Sequence, residues 1–250
     1  MRYGFKREAG FLGNSWGIEV MKAQVVRELG PYAQMTLEDQ PRPEMRAGAV
    51  RIAVHAAGLN FADILMCSGQ YQDIPALPFT PGMEVAGEVV EVAADSEGVF
   101  VGDRVVARVD SGGYAEEVVA RCGDCWVMPQ ALNMVEGAGY PIAYGTSHVA
   151  LTRRARLQAG EVLLVHGAAG GVGLTAVEIG KALGATVVAT AGSAEKLEIA
   201  RSRGADHLIN YREENIRERV RDLVGAVDVV YDPVGGDVFS QSLRCINPEG

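Results

Sequence analysis

Residues Gly160 to Ala185 read GEVLLVHGAAGGVGLTAVEIGKALGA, and this stretch constrains the fold more than any other part of the chain. Val162 to Val165 is a short apolar run edged by β-branched valines, as a strand buried on both faces requires, and Val172, Ala176, Ile179 and Leu183 then recur at helical spacing. The glycines between them fall at a strand-to-helix turn. There, backbone without Cβ atoms can approach a pyrophosphate, and the unpaired N–H groups of the first helical turn add donors and a partial positive charge. Ala169, Gly170, Gly171, Val172 and Gly173 are therefore expected to cradle a dinucleotide. Ala168 stands where the usual fingerprint has its first glycine, so the flanking strand and helix carry this reading more than the string does; a Gly-rich turn without a ligand is the plain alternative.

Composition narrows the setting. At 250 residues and 48% hydrophobic, the chain can bury two moderate cores. Its net charge of −9, from 23 Lys and Arg against 32 Asp and Glu, does not supply the basic surface that nucleic acid demands. No apolar run approaches membrane-spanning length. Four cysteines do not make a disulfide framework in a chain this long, which points to a reducing, cytoplasmic compartment. The first twenty residues lack the apolar segment of a secretory signal, and their few basic residues make a poor organelle-targeting helix. Residues 1–20 are expected to be a flexible leader. Met21, opening MKAQVV, is expected to start the first strand, which makes it a candidate start of translation beside Met1.

From Met21 to about Gln130 the pattern is of short β runs: Ala49 to Ala57, Val85 to Val92, Asp103 to Val109, Tyr114 to Ala120 and Trp126 to Met128. Gly112-Gly113 reads as a hairpin turn. Asn133 with Glu136 resembles a capping box, and Ala143 to Arg154 a linking helix. Beyond the Gly-rich turn, βα units repeat. Strands at Thr186–Thr190, His207–Ile209 and Val227–Tyr231 precede helices at about Ala194–Arg203, Glu213–Val224 and Gly236–Cys245, an alternation that predicts a doubly wound parallel sheet.

The segments AAGLNFADIL, LPFTPGMEVAGEV, GDRV, GGYAEEV, AYGTSHVAL and VLLVHGAAGGVG follow one another in an order that resembles the medium-chain dehydrogenase/reductase superfamily, and most of all its zinc-free, zeta-crystallin-like NADPH:quinone oxidoreductase branch. The resemblance implies an α/β chain with a GroES-like β-rich domain at 21–142, a Rossmann domain at 143–250 and an active site in the cleft between them. It implies NADPH as cofactor, a quinone or α,β-unsaturated carbonyl as substrate, and a homodimer. With four of the six Rossmann strands in view, the chain is expected to be truncated at its C-terminus, which would leave Val227–Tyr231 an uncovered apolar edge and remove the dimer contact.

Zinc alcohol dehydrogenases of the superfamily carry Cys and His ligands where this chain has Asn60 and Met83, and an amide and a thioether cannot replace them around Zn²⁺. Cys122 and Cys125 have a metal-like spacing without a second pair, and read as structural thiols; no metal is expected. Asp63 and Glu84 read as remnants of a metal-site architecture, kept for local hydrogen bonds.

At the end of the second Rossmann strand, Thr190-Ala191-Gly192-Ser193 offers none of the carboxylates with which NAD enzymes hold the ribose. By resemblance, Ser193, Lys196 and Tyr211 match residues that bind the 2′-phosphate of NADPH; alternatively Lys196 is a solvated helix residue. No nucleophile–base pair is apparent, and His166 reads as structural. Hydride transfer needs mainly positioning and donors for the substrate carbonyl. Asn60, Tyr71 and Thr146 match cleft positions of the family, Tyr71 matching the enolate donor of enoyl thioester reductases; a loop aromatic that only packs is the alternative for Tyr71. An enoyl thioester reductase of the same superfamily and a non-catalytic NADPH-binding protein are the remaining readings.

Overall fold

The computed structural model describes residues 19–247. Most of the expected leader lies outside the described residues, and Val20, its last residue, already belongs to the first strand. The chain divides into two compact units, one ending at Ile142 and the other starting at Ala143.

In the first unit, β1 (Val20–Val25) and β2 (Thr36–Pro41) form an antiparallel pair. Strands β3 (Ala49–Ala57), β4 (Glu84–Val92), β5 (Arg104–Arg108), β6 (Glu117–Arg121) and β7 (Cys125–Val127) form an antiparallel sheet in the order β6-β3-β4-β5-β7. Alternate residues build its core: Val50 and Ile52 of β3 meet Val85 and Val89 of β4, with Val105, Ala107, Val118 and Ala120. Helix α1 (Phe61–Cys67) and helix α2 (Met134–Ala138) complete the unit. Asn133 and Glu136 form the expected reciprocal cap of α2.

Two readings of this region need correction. Gly112-Gly113 is not a hairpin turn, because β5 pairs with β4 and β7 while β6 pairs with β3. The loop instead docks on the Thr80–Gly82 segment, where Gly112, Gly113 and Tyr114 donate to the carbonyls of Thr80, Gly82 and Pro81 at 2.7, 3.0 and 2.9 Å. Those bonds occupy the backbone through Tyr114, and the strand expected there begins only at Glu117. Helix α1 was also hidden among the β runs. Its local signal is Asn60, whose N–H donates to the carboxylate of Asp63 three residues on, at 2.9 Å.

In the second unit, β8 (Val162–Val165), β9 (Thr186–Ala191), β10 (His207–Asn210) and β11 (Val229–Tyr231) form a parallel sheet ordered β10-β9-β8-β11, the 3-2-1-4 part of the six-stranded Rossmann order. Leu163, Val165, Val187 and Ala189 enter one core and Leu164, Val188 and Ile209 another, so both faces are covered. Helix α3 (Pro141–His148) leads into the unit, and α4 (Gly171–Ala182), α5 (Ala194–Ser202), α6 (Ile216–Val224) and α7 (Asp237–Ser242) alternate with the strands.

The linking helix expected at Ala143–Arg154 is α-helical only to His148, then widens into a π-helical stretch, Val149–Arg154, whose Ala155 N–H reaches back five residues to Ala150. Helix α6 starts later than expected because Asn215 caps it, accepting from the Glu218 N–H at 3.1 Å. Val227–Tyr231 is not a uniformly bare edge: Val227 is fully buried and pairs in parallel with Ile246, leaving Val229–Tyr231 as the strand beside β8.

Candidate functional site

In the second unit, β8 delivers the chain into the Gly-rich turn and α4 leaves it with Gly170 as its N-cap. A Cβ on Gly173 would lie 2.2 Å from the Gly167 carbonyl oxygen, so close packing of turn and helix requires glycine there. The first-turn N–H groups of α4 include those of Gly171, Val172 and Gly173, the donors a pyrophosphate needs at a helix N-terminus.

The neighbouring strand, β9, ends at Ala191, and Ser193 caps α5 by accepting from the Lys196 N–H at 3.4 Å. A Cβ on Gly192 would stand 2.7 Å from the Tyr211 hydroxyl oxygen and 3.1 Å from Nε of Arg212. The loop after β10 therefore brings a phenol and a guanidinium to the end of β9, beside the capping serine, with exposed Lys196 in the first turn of α5. Neither Lys196 nor Arg212 is ion-paired among the described residues. Arg212 is the residue that sequence reasoning missed; its signal was its place directly after Tyr211.

Behind this lip, His166 is fully buried, with Nδ1 2.8 Å from the Thr190 hydroxyl and Nε2 2.7 Å from the Ser242 hydroxyl. Burial pulls its pKa down to about 4, the nearby Asp232 opposing, so the ring is neutral and structural. Thr146 is exposed, whereas its neighbour Ser147 is buried and bonded to the Val172 carbonyl at 2.8 Å and to the hydroxyls of Thr175 and Tyr231 at 2.8 and 3.1 Å.

In the first unit, Asn60 donates through Nδ2 to Oε1 of buried Glu84 at 2.8 Å, and Oε2 of Glu84 accepts from the Ile142 N–H at 2.8 Å. Burial raises the Glu84 pKa, while the Ile142 and Asn60 donors oppose the shift. Asp63 accepts from the Gly82 N–H at 3.2 Å, the Asn60 N–H at 2.9 Å and the Tyr114 hydroxyl at 2.8 Å. Desolvation first, and the Asp63 charge second, hold Tyr114 well above the ordinary phenol range. Both carboxylates are thus engaged by protein donors. Met83 and half-buried Tyr71 pack against Val26, Met66, Cys67 and Phe79. The Cys122 thiol donates to the Glu97 carbonyl and the Cys125 thiol to that of Arg121, and burial pushes Cys125 up to about 12. Among the described residues, no group of three or more His, Cys, Asp or Glu is arranged to hold a metal, and no helix is long and apolar enough to cross a membrane.

Known proteins agree with this architecture. Residues 46–166 match the alcohol dehydrogenase GroES-like domain, and residues 171–250 the family model described as zinc-binding dehydrogenase. The chain is 44% identical to quinone oxidoreductase-like protein 2 of Bos taurus over 85% of its own length, and spans 62% of that protein. It is 36% identical to the quinone oxidoreductase of Homo sapiens, covering 94% of this chain and 72% of that one. The chain belongs to the quinone oxidoreductase branch of the medium-chain dehydrogenase/reductase superfamily. Among solved members, the quinone oxidoreductase of Thermus thermophilus, whose structures include a complex with NADPH, superposes with a TM-score of 0.81 at 37% identity, covering 92% of this chain and 72% of that one. In this member of the branch, the Asn60 amide is held by Glu84 and the Met83 thioether lies in an apolar cluster.

Proposed function

We propose that the protein is a zinc-independent, NADPH-dependent reductase that passes hydride to a quinone or an α,β-unsaturated carbonyl in the cytoplasm, acting by resemblance as a homodimer. The observation that carries the cofactor reading is the end of β9: Ala191 and Gly192 present no carboxylate, while Ser193, Lys196, Tyr211 and Arg212 offer donors and two positive charges to a 2′-phosphate. The Ala169–Gly173 turn would fit a pyrophosphate, since the position a side chain would take at Gly171 is open space, while Gly173 lets α4 pack against the Gly167 carbonyl. NADPH, when bound, supplies the hydride. The chain's own residues would bind and orient it: the α4 N–H groups would donate to the pyrophosphate and the β9 lip would select the 2′-phosphate. Asn60, Tyr71 and Thr146 are assigned as donors to the substrate carbonyl, Asn60 oriented by its bond to Glu84.

The test is NADPH and NADH titration followed by a turnover screen against quinones, enones and enoyl thioesters, with and without exhaustive chelation. Lys196→Ala and Arg212→Ala are each expected to weaken NADPH by about 1.5 to 3 kcal/mol, the worth of a charged hydrogen bond, and to leave NADH nearly unchanged. Equal losses for both cofactors would sink the phosphate assignment. Tyr71→Phe keeps the ring in its apolar cluster and deletes only the hydroxyl. It is expected to cut turnover by about a hundredfold, whereas unchanged turnover leaves Tyr71 a packing residue. Chelator-sensitive turnover with stoichiometric zinc contradicts metal independence, and cofactor binding without turnover on any acceptor would make the protein a non-catalytic NADPH binder.

A further inference from the structure

Helices α6 and α7 flank a cavity of about 270 Å³ lined by Asn215, Arg217, Glu218, Arg221, Gln241 and Arg244. These residues are separate from the β9 lip. Arg217 and Arg221 are four residues apart on α6, which sets their like charges on one helix face where they repel, and Arg244 brings a third guanidinium from just beyond α7. Arg221 has Asp222 as ion partner at 3.1 Å, but Arg217 and Arg244 have none among the described residues. One carboxylate, Glu218, lines the cavity against the three arginines. In a chain of net charge −9, this convergence of positive charge stands out. The Gln241 amide adds a second anomaly, since its Oε1 is buried without a donor among the described residues.

Planar guanidinium forks match the oxygens of a tetrahedral oxyanion, and a lone buried acceptor requires a donor on the same ligand. We propose that this cavity binds a phosphate group, either as inorganic phosphate, whose P–OH donates to Gln241, or as a small hydroxylated phosphate ester, whose alcohol does. Arg217 and Arg244 hold the phosphate oxygens and Arg221 supports them. Sulfate has the same shape and charge but no proton to give at neutral pH, so Gln241 discriminates against it.

The experiment is calorimetric titration of the whole chain with inorganic phosphate, glycerol phosphate and sulfate. Phosphate or its ester is expected to bind more tightly than sulfate, the tighter of the two naming the source. Arg217→Gln with Arg244→Gln is expected to raise the Kd by about 10- to 100-fold, and Gln241→Ala to abolish the preference over sulfate. Arg217→Lys with Arg244→Lys, which keeps the charge and the fold while losing the forks, is expected to bind with intermediate affinity. In a Lys196→Ala/Arg212→Ala background, which removes the phosphate donors of the β9 lip, adding Arg217→Gln with Arg244→Gln is still expected to raise the Kd by a similar factor. Equal affinity for phosphate and sulfate, binding that survives the double glutamine variant, or a Lys196→Ala/Arg212→Ala background that has no phosphate binding left overturns the proposal.

Discussion

In the first unit Asn60, Asp63 and Glu84 direct their polar atoms at one another and at nearby backbone, whereas in the second Tyr211 and Arg212 stand exposed beside Gly192 and Lys196 is exposed in the first turn of α5. A buried carboxylate is tolerated only when its oxygens are bonded, and each of those bonds ties a different segment: α1, the loop before β4, the start of α3. An exposed cation has no such duty and stays available for a ligand. Family-like motifs therefore occupy two physical situations in one chain, and the same type of substitution should read out as stability in one unit and as affinity in the other.

The largest effects are expected where backbone space is absent. A Cβ on Gly58 would lie 2.2 Å from Oε1 of Glu84 and 2.5 Å from the Ala138 carbonyl oxygen, so Gly58→Ala should cost about 3 kcal/mol or more, read from the denaturant midpoint. Gly173→Ala meets the Gly167 carbonyl at 2.2 Å and should cost a similar amount, but only this variant should also lose NADPH affinity in proportion. An unshifted midpoint in Gly58→Ala breaks the account of the first unit.

Acid should separate the units next. The native pKa of His166 is about 4 against an ordinary value of 6.5, so between those pH values the unfolded chain binds a proton that the native one refuses. Its contribution is intact above pH 6.5 and declines by about 3 kcal/mol as pH falls toward 4. Glu84 has the opposite sign: its raised native pKa means that acidification through that pKa relieves the cost of burying its charge. Amide exchange, corrected for its intrinsic pH dependence, should therefore show β8 losing protection relative to β4 between pH 6.5 and 4. Parallel loss in both strands contradicts this contrast.

The smallest effects compare neighbours on α3. Ser147→Ala takes a partner from the Val172 carbonyl, buried Thr175 and half-buried Tyr231 and should cost about 1 to 3 kcal/mol, while Thr146→Ala, at an exposed position, should stay within about 0.5 kcal/mol in thermal unfolding. If Thr146→Ala instead lowers turnover at constant stability, its assignment as a substrate donor is strengthened.

The Rossmann half was open to a reading of the sequence because its signals are local: β8, the glycine turn and α4 lie within one short stretch, and each later βα unit repeats the period change. The antiparallel unit was harder, since pairing there joins distant segments; nothing near Gly112-Gly113 announces that β5 and β6 lie three strands apart, or that the loop bonds to Thr80–Gly82. By itself, the sequence determined most element types, though not α1 or the π-helical stretch, together with the missing acid after β9 and the absence of Cys and His at positions 60 and 83. Only the tertiary structure decided that Arg212 joins Tyr211 at Gly192, that Glu84 holds Asn60, and that Ser147 rather than Thr146 is the buried hydroxyl. Those facts depend on which side chains meet across strand and loop crossings, and a contact between residues far apart along the chain leaves no periodic mark in either segment.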